Sequence, residues 1–211
     1  MDRQDLGKVT LDVPVFGQAE GACGPCSLKA ALWYHGHRIS AAQIARTAGS
    51  IPDGIDHGPL IQLARRFGAS VFAKPLGSTE ELRWFLERGL PPIIGWWSQD
   101  RGDPGFNPAW SLKERREHDC GHYSVVSGID LNRIQLMDPQ WETRGGRLRI
   151  VGHRWMPRGH FRTVWYDTDT AAYKRVMRWY MVVHFETEQF AGRMKEGRDY
   201  GPLVPAMRSH P

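Results

Sequence analysis

Apolar residues in the first half of the chain recur at helical spacing, and each periodic stretch is bounded by a cap or a glycine. Ser40 and Ser78 stand where helix N-caps are favoured, and Ser78 forms a capping-box pattern with Glu81. An alternating stretch before Gly17 has the period of a strand. The pattern therefore predicts one strand and then four helices, at residues 9–16, 24–34, 41–47, 58–67 and 79–88.

After Gly89 the spacing changes to that of strands. A continuous apolar run there is typical of a buried strand, and two later runs flank a turn-rich connection that is typical of a hairpin. The predicted strands cover residues 92–97, 122–129, 133–137, 148–151 and 178–185. Helices followed by strands favour an α+β fold, with an N-terminal helical half packed on a C-terminal antiparallel β-sheet.

The length of the chain, 211 residues and 24.1 kDa, suits one domain with its own core. We expect that domain to cover residues 1–187, followed by a polar, loosely ordered tail at 188–211. The mean hydropathy is −0.49. No stretch approaches the about 18 consecutive apolar residues of a spanning helix, so no membrane span is predicted.

The cysteine content and the net charge indicate which cellular compartment and which partners to expect. Three cysteines cannot form a disulfide framework, and residues 1–10 lack the apolar core of a secretory signal, so we expect the cytoplasm. The net charge is +5, but it is dispersed over short clusters. A nucleic-acid-binding protein would concentrate basic residues on one face, so we predict no nucleic-acid partner.

Cys23 is the most informative position for chemistry, because it lies at the start of the first predicted helix. Unpaired backbone N–H groups and the positive end of the helix dipole favour a thiolate at such a position, and the thiolate is the reactive nucleophile. Gln18 lies five residues upstream, where its side-chain amide could donate a hydrogen bond to an oxyanion formed beside Cys23.

A cysteine nucleophile needs a base and a group that orients the base, and both are usually distant in sequence. His122 begins one strand of the predicted hairpin and Asp138 follows the other. We predict a pairing register that places these two residues opposite each other at the open end of the hairpin. A carboxylate there would fix the imidazole tautomer and stabilise its charged form.

These residues belong to an ordered set of motifs that resembles the papain-like C39 peptidase family and its C39-like relatives. The resemblance spans roughly residues 12–166. Gln18 departs from the papain-like spacing, which commonly has one more residue before the cysteine. The matching pieces are Val13-Pro14-Val15, Gln18, Cys23-Gly24-Pro25 with Ala30-Ala31-Leu32, the segment Gly121 to Asp130, Met137-Asp138-Pro139, and Phe161 with Trp165.

The resemblance implies a papain-like fold and a cysteine peptidase that cleaves a peptide or protein substrate through an acyl-enzyme. It assigns Cys23 as nucleophile, His122 as general base and acid, Asp138 as orienting residue and Gln18 as oxyanion donor. No cofactor or metal is implied.

Three residues are predicted to contact the substrate. Trp141 follows Asp138 closely, Trp97 lies on the buried run, and Gly121 precedes His122. On a strand, Trp96 and Trp97 point to opposite faces, so only one of them can face a given cleft. We expect the loop at 99–117 to cover the site as a lid.

Other functions fit parts of this pattern. Cys23-Gly24-Pro25-Cys26 is also the redox motif of thioredoxins, although no buried strand precedes it here. Cys23, Cys26, Cys120 and His122 could form a four-ligand zinc set. A peptide-binding module without turnover, and a transpeptidase or acyltransferase with the same residues, also remain open.

Overall fold

A computed structural model describes residues 7–49, 54–98, 109, 111, 113–114, 120–169 and 174–185. Both the tail predicted at 188–211 and most of the loop predicted to act as a lid lie outside these residues.

Five helices are present among the described residues. The capping boxes of Ser40 and Ser78 are both formed, each with a reciprocal pair of hydrogen bonds to the residue three positions on. The predicted helices therefore begin where the sequence indicates, within one residue. The helices are α1 (Cys23–Tyr34), α2 (Ala41–Ala48), α3 (His57–Arg66), α4 (Thr79–Leu86) and α5 (Arg158–Val164).

Nine described strands form two antiparallel sheets. They are β1 (Val9–Thr10), β2 (Ser70–Lys74), β3 (Ile93–Trp97), β4 (Gly121–Ile129), β5 (Arg133–Arg144), β6 (Arg147–Pro157), β7 (Tyr166–Asp169), β8 (Lys174–Met177) and β9 (Tyr180–His184). The large sheet has the order β2-β9-β3-β4-β5-β6, and β1 pairs with one end of β4. Strands β7 and β8 form the small sheet.

Apolar side chains cover the large sheet on both faces. One core packs α1, α2 and α3 against residues such as Ile93 and Val125, and a second packs α4 and α5 against neighbours such as Ile94 and Val126. Adjacent residues of one strand therefore enter different cores, as the pleat requires. The α+β fold class is confirmed, and the sheet has helices on both of its faces.

The sequence pattern missed several elements. Strands β2, β7 and β8 and helix α5 were not predicted, and the predicted strand at 9–16 is limited to Val9–Thr10. Each missed element has seven residues or fewer, which is too short to establish a period. The residues after β1 form a loop that approaches β5 and β6 through Gln18 and Val13.

Candidate active site

Cys23 is the first residue of α1 and is 9 % exposed. The N-cap is Ala22, which makes no side-chain capping hydrogen bond. The first backbone N–H groups of a helix have no partner within the helix, and here the cap supplies none. The positive end of the α1 dipole therefore lies at Cys23.

Gly24 allows α1 to pack closely against β4, the strand that carries His122. A Cβ at Gly24 would lie 2.5 Å from Ile55 Cγ2 and 3.1 Å from Tyr123 Cδ2. One turn further along, Ser27 Oγ donates to the backbone oxygen of Tyr123 at 3.0 Å. The start of α1 is thus held against β4 one residue from His122.

His122 and Asp138 form a buried hydrogen bond, with 2.8 Å between Nε2 and Oδ1. Their relative exposures are 5 % and 2 %. The register differs from the predicted one, because Val125 pairs with Met137, which places residue 140 opposite His122 when extended. The prediction was two residues off, and an even shift keeps both side chains on the same face. The contact is therefore diagonal rather than direct.

The charge state of His122 follows from its partners. Burial by itself lowers the pKa of His122, but hydrogen bonds to Asp138 and Cys23 and the charges of both groups outweigh it and raise the pKa to about 10. An imidazolium is thus favoured at neutral pH, next to a sulfur at a helix N-terminus. His122 is thus hydrogen-bonded to Asp138, and Cys23 is the second group that raises its pKa.

Asp138 has two further contacts that the sequence did not indicate. Its Oδ1 also accepts from the Gln140 backbone N–H at 3.1 Å, and its Oδ2 lies 3.1 Å from Arg154 Nη2. Burial raises the pKa of Asp138, whereas His122, Arg154 and the Gln140 N–H lower it, and the net shift is downward. Asp138 is therefore held as a carboxylate.

Gln18 lies beside Asp138 but its amide is engaged. The Gln18 backbone N–H donates to the Pro139 oxygen at 3.0 Å, and its Nε2 donates to Gln140 Oε1 at 3.3 Å. Its Oε1 is buried without a hydrogen-bond partner. The structure thus brings Gln18 to the site, with its amide nitrogen directed at Gln140.

The Trp141 side chain packs against the segment that contains Gly17 and Gln18. Its Nε1 donates to the Gln18 backbone oxygen at 2.8 Å, and the side chain is 43 % exposed. A Cβ at Gly17 would lie 2.5 Å from Trp141 Cζ2, so glycine is needed for this packing. Trp141 is thus an exposed aromatic surface next to Gln18.

Trp97 on β3 and Gly121 on β4 are directly opposite each other in the sheet. Gly121 is exposed at the start of β4, whereas Trp97 is 1 % exposed and stacks on Tyr166 with ring centroids 5.4 Å apart. Trp96, on the other face, contacts the His122 ring edge-on at 5.6 Å. Trp97 is thus packed in the core and its contact with substrate stays a prediction, whereas Trp96 is the tryptophan beside His122.

Trp96 and Arg154 complete the surroundings of the His122–Asp138 pair. Trp96 Nε1 donates to Ser124 Oγ at 3.0 Å, and the Arg154 guanidinium lies over its indole ring, 5.0 Å from the centroid. Arg154 reaches Asp138 from β6, two strands away from His122. No local sequence signal could identify it, because the β5–β6 register was unknown.

Cys26 differs from Cys23 in its surroundings. Its Sγ lies 3.5 Å from the Phe16 backbone oxygen, and burial, opposed by Lys29, raises its pKa to about 12. All three cysteines are free thiols. Within the part of the chain that the structure describes, no three His, Cys, Asp or Glu side chains are arranged to hold a metal ion, so the zinc set suggested by the spacing is not assembled there.

A second histidine–carboxylate pair lies near α1. His57 Nε2 is 3.2 Å from Asp167 Oδ2, and its ring stacks on Trp179 with centroids 4.0 Å apart. No local pattern in the sequence indicates this pair, since Asp167 lies on β7, a strand that was not predicted.

Comparison with solved structures identifies the fold. A double glycine motif protease from an AMS/PCAT transporter, solved with the leader peptide, is 18 % identical, with a TM-score of 0.55 over 83 % of this chain and 93 % of that one. The peptidase domain of Streptococcus ComA, a bifunctional ABC transporter involved in a quorum sensing pathway, is 15 % identical, with a TM-score of 0.57 over 82 % and 99 %. A protein described as a C39-like peptidase, from Bacillus anthracis, is 19 % identical, with a TM-score of 0.60 over 85 % and 98 %. At these identities the likeness establishes the fold, which is not that of thioredoxin.

Two other comparisons bear on the chain. No curated protein matches the sequence significantly. Among the described residues, no helix combines the length and apolarity needed to cross a membrane.

The model of the Peptidase_C39 like family matches residues 10–173, most of the chain. Together with the helix–strand architecture around Cys23 and His122, this match establishes that the chain belongs to the Peptidase_C39 like family.

Proposed function

We propose that the protein is a cysteine peptidase that cleaves a peptide substrate through an acyl-enzyme, with Cys23, His122 and Asp138 as its catalytic triad. The observation that carries the proposal is the buried His122–Asp138 hydrogen bond, with Cys23 at the N-terminus of α1 as the second group that raises the pKa of His122. Family membership supports peptidase chemistry, and the solved neighbour that contains a leader peptide supports a peptide substrate.

In the proposed reaction, the Cys23 thiolate attacks the carbonyl carbon of the scissile bond and forms a tetrahedral oxyanion. The Cys23 backbone N–H at the uncapped end of α1 stabilises that charge. Gln18 is the second proposed donor, and it can act once its amide turns away from Gln140. The His122 imidazolium then gives its proton to the leaving amine, the C–N bond breaks, and a thioester remains on Cys23.

Deacylation regenerates the starting state. Neutral His122 takes a proton from water, the hydroxide adds to the thioester, and the carboxylic acid product leaves as the Cys23 thiolate returns beside protonated His122. An amine in place of water would give a transpeptidase with the same residues. We further propose a cytoplasmic location, which agrees with the three free thiols.

A peptidyl vinyl sulfone tests the proposal, with intact-mass spectrometry and peptide mapping as the readout. We expect a single adduct on Cys23, and His122→Ala should slow its formation by about a hundredfold or more, because an essential acid–base group is lost. Cys26→Ser should label normally and serves as the matched control. Binding without an adduct would instead favour a non-catalytic peptide-binding module.

A further inference from the structure

The outer ends of β5 and β6 form a hairpin that the proposed reaction does not use. Residues 141–150, here called the arm, pair from Trp141 with Ile150 to Arg144 with Arg147. Every residue from 141 to 149 is exposed. β6 is the last strand of the large sheet in the described part of the chain, so its outer edge has no partner strand there.

One face of the arm is apolar. Trp141 and Ile150 are cross-strand partners and share this face, and Leu148 lies on it because it is two residues from Ile150. Val15 extends the strip, since a Cβ at Gly152 would lie 3.5 Å from Val15 Cγ1. Of the five most exposed large hydrophobic side chains among the described residues, three lie here: Val15 at 40 %, Trp141 at 43 % and Leu148 at 67 %. Clustering of this kind marks an interaction surface.

The other face of the arm is basic. Arg144 and Arg147 are directly opposite each other, and Arg149 lies on the same face two residues from Arg147, opposite Glu142. Like charges directly opposite in an antiparallel pair destabilise it. No ion pair of these three arginines with a carboxylate is found among the described residues. Three arginines against the one carboxylate of Glu142 leave this face net positive, and an anionic partner would neutralise the excess.

The arm begins on the leaving-group side of the proposed site. Asp138, which orients His122, lies on β5 three residues before Trp141, and Trp141 contacts Gln18. Because His122 protonates the leaving amine, the C-terminal half of a substrate departs on the His122 side. A peptide that leaves Cys23 in this direction meets Trp141 first and then the rest of the arm.

We propose that the arm binds the C-terminal, leaving half of a peptide substrate in which apolar and acidic residues alternate; this inference rests on the proposed function. An extended peptide can pair with the open edge of β6, as in other strand-addition complexes. Successive side chains of an added strand point to opposite faces. Apolar residues would then lie against Trp141, Ile150 and Leu148, and acidic residues against the arginines.

Fluorescence anisotropy of labelled eight-residue peptides with the full-length Cys23→Ala chain tests this inference. Three peptides are compared: alternating Leu and Glu, alternating Leu and Lys, and a block isomer with four Leu followed by four Glu. We expect the alternating acidic peptide to bind about tenfold more tightly than either of the others, since only it matches both charge and period.

The triple variant Arg144→Gln, Arg147→Gln, Arg149→Gln should lose about tenfold in affinity for the alternating acidic peptide. The matched control is Arg66→Gln, Arg88→Gln, Arg175→Gln, which makes the same change in net charge with exposed residues far from the arm in sequence. It should bind as the parent does. The Tm of the arm variant should not fall below that of the control, because an opposed pair of like charges has been removed.

Several outcomes would overturn the inference: equal binding of the lysine peptide or the block isomer, equal losses in the arm and control variants, or equally tight and arginine-dependent binding of a single-stranded oligonucleotide of the same charge. The assay needs no turnover, so its result is separable from the proposed function. Labelling of Cys23 without peptide discrimination contradicts the arm alone, and discrimination without labelling contradicts the peptidase alone.

Discussion

Three groups contact the Asp138 carboxylate of the proposed triad, and together they occupy both of its oxygens. His122 and the Gln140 N–H share Oδ1, and Arg154 pairs with Oδ2. The two oxygens therefore cannot exchange roles without breaking a charge-assisted contact. In the proposed triad Arg154 would act through Asp138, as a positioning residue rather than a catalytic one.

Arg154→Gln removes one of the charges that lower the pKa of Asp138. The pKa of Asp138 then rises, because only His122 and the Gln140 N–H still oppose the effect of burial. A depressed carboxylate pKa keeps Asp138 ionised until the pH falls through it, so the acidic limb of the pH–rate profile should move to higher pH in the variant. We expect vinyl sulfone labelling at pH 7 to slow by about tenfold, which corresponds to about 1.4 kcal/mol.

Arg154→Lys is the matched control for this prediction, because it keeps the positive charge. It should restore most of the rate and the position of the acidic limb, although it cannot keep the planar contact with Trp96. An Arg154→Gln profile that loses rate equally at every pH would show that Arg154 has only a packing role.

At the scale of elements, the loop between β1 and α1 depends on contacts with β5. Trp141 presses on Gly17, and the loop is joined to β5 by the bonds from the Gln18 N–H to Pro139 and from Trp141 to Gln18. These contacts hold the proposed oxyanion residue beside Asp138. Loss of the close approach at Gly17 would displace Gln18 without touching it.

Gly17→Ala is expected to lower the free energy of unfolding by about 1–3 kcal/mol, because the added Cβ overlaps the indole ring and the loop must shift. Vinyl sulfone labelling should slow as well. Gly58→Ala is the control, since its Cβ would meet nothing within 4 Å on α3 and alanine favours a helix. Urea unfolding of both variants measures the difference, and equal stabilities would contradict the proposed packing.

The C-terminal end of α1 makes the stability of the fold sensitive to acid. His35 is the C-cap residue, and burial together with His184 and His37 lowers its pKa from 6.5 to about 4, against a backbone hydrogen bond to Val183. A histidine that stays neutral when folded but charges when unfolded stabilises the fold above pH 6.5. That stability falls as the pH drops from 6.5 towards 4.

His35→Gln should therefore flatten the pH dependence of stability in this window. The parent chain should lose at most about 3 kcal/mol between pH 7 and pH 4 through this group. His160→Gln, at an exposed position on α5, provides the control. Urea unfolding at both pH values measures the loss, and an unchanged slope in His35→Gln would contradict the assignment.

At the scale of the whole molecule, the His57–Asp167 pair joins α3 to the small sheet across β3. The two side chains are 16 % and 6 % exposed, and they pass close to Gly95. A Cβ at Gly95 would overlap the Asp167 carboxylate and lie 3.1 Å from His57 Nε2. A glycine in the buried centre of β3 therefore makes room for a polar link between the two sheets and α3.

Gly95→Ala should cost about 1–3 kcal/mol in the free energy of unfolding, because backbone and buried carboxylate cannot both keep their positions. Gly159→Ala on α5, where a Cβ would meet nothing within 4 Å, is the control. Thermal unfolding of the two variants tests this link. If Gly95→Ala unfolds at the parent temperature, the pair is not a tertiary constraint.

The candidate site was largely predictable because each proposed catalytic residue lies in a short segment with a recognisable local pattern. A cysteine at a helix start, and a histidine and an aspartate at the ends of hairpin strands, each follow from local patterns, and an even error in register left His122 and Asp138 on one face. Cys23 and Asp138 could thus be assigned before the contact between their elements was known.

The tertiary structure alone decided which side chains surround these residues. The contacts of three residues depend on how the strands pair: Arg154, Trp96 and Asp167. That pairing includes a β-bulge and short strands, and the sheet it forms lies between two cores. Local propensity carries no information about such pairings, because the contacts are made between residues far apart in the chain and are stabilised only when both cores close. The sequence by itself therefore determined the candidate reactive groups, and the packing of the sheet determined their neighbours, the pKa shifts of His122 and Asp138, and the surface beside them.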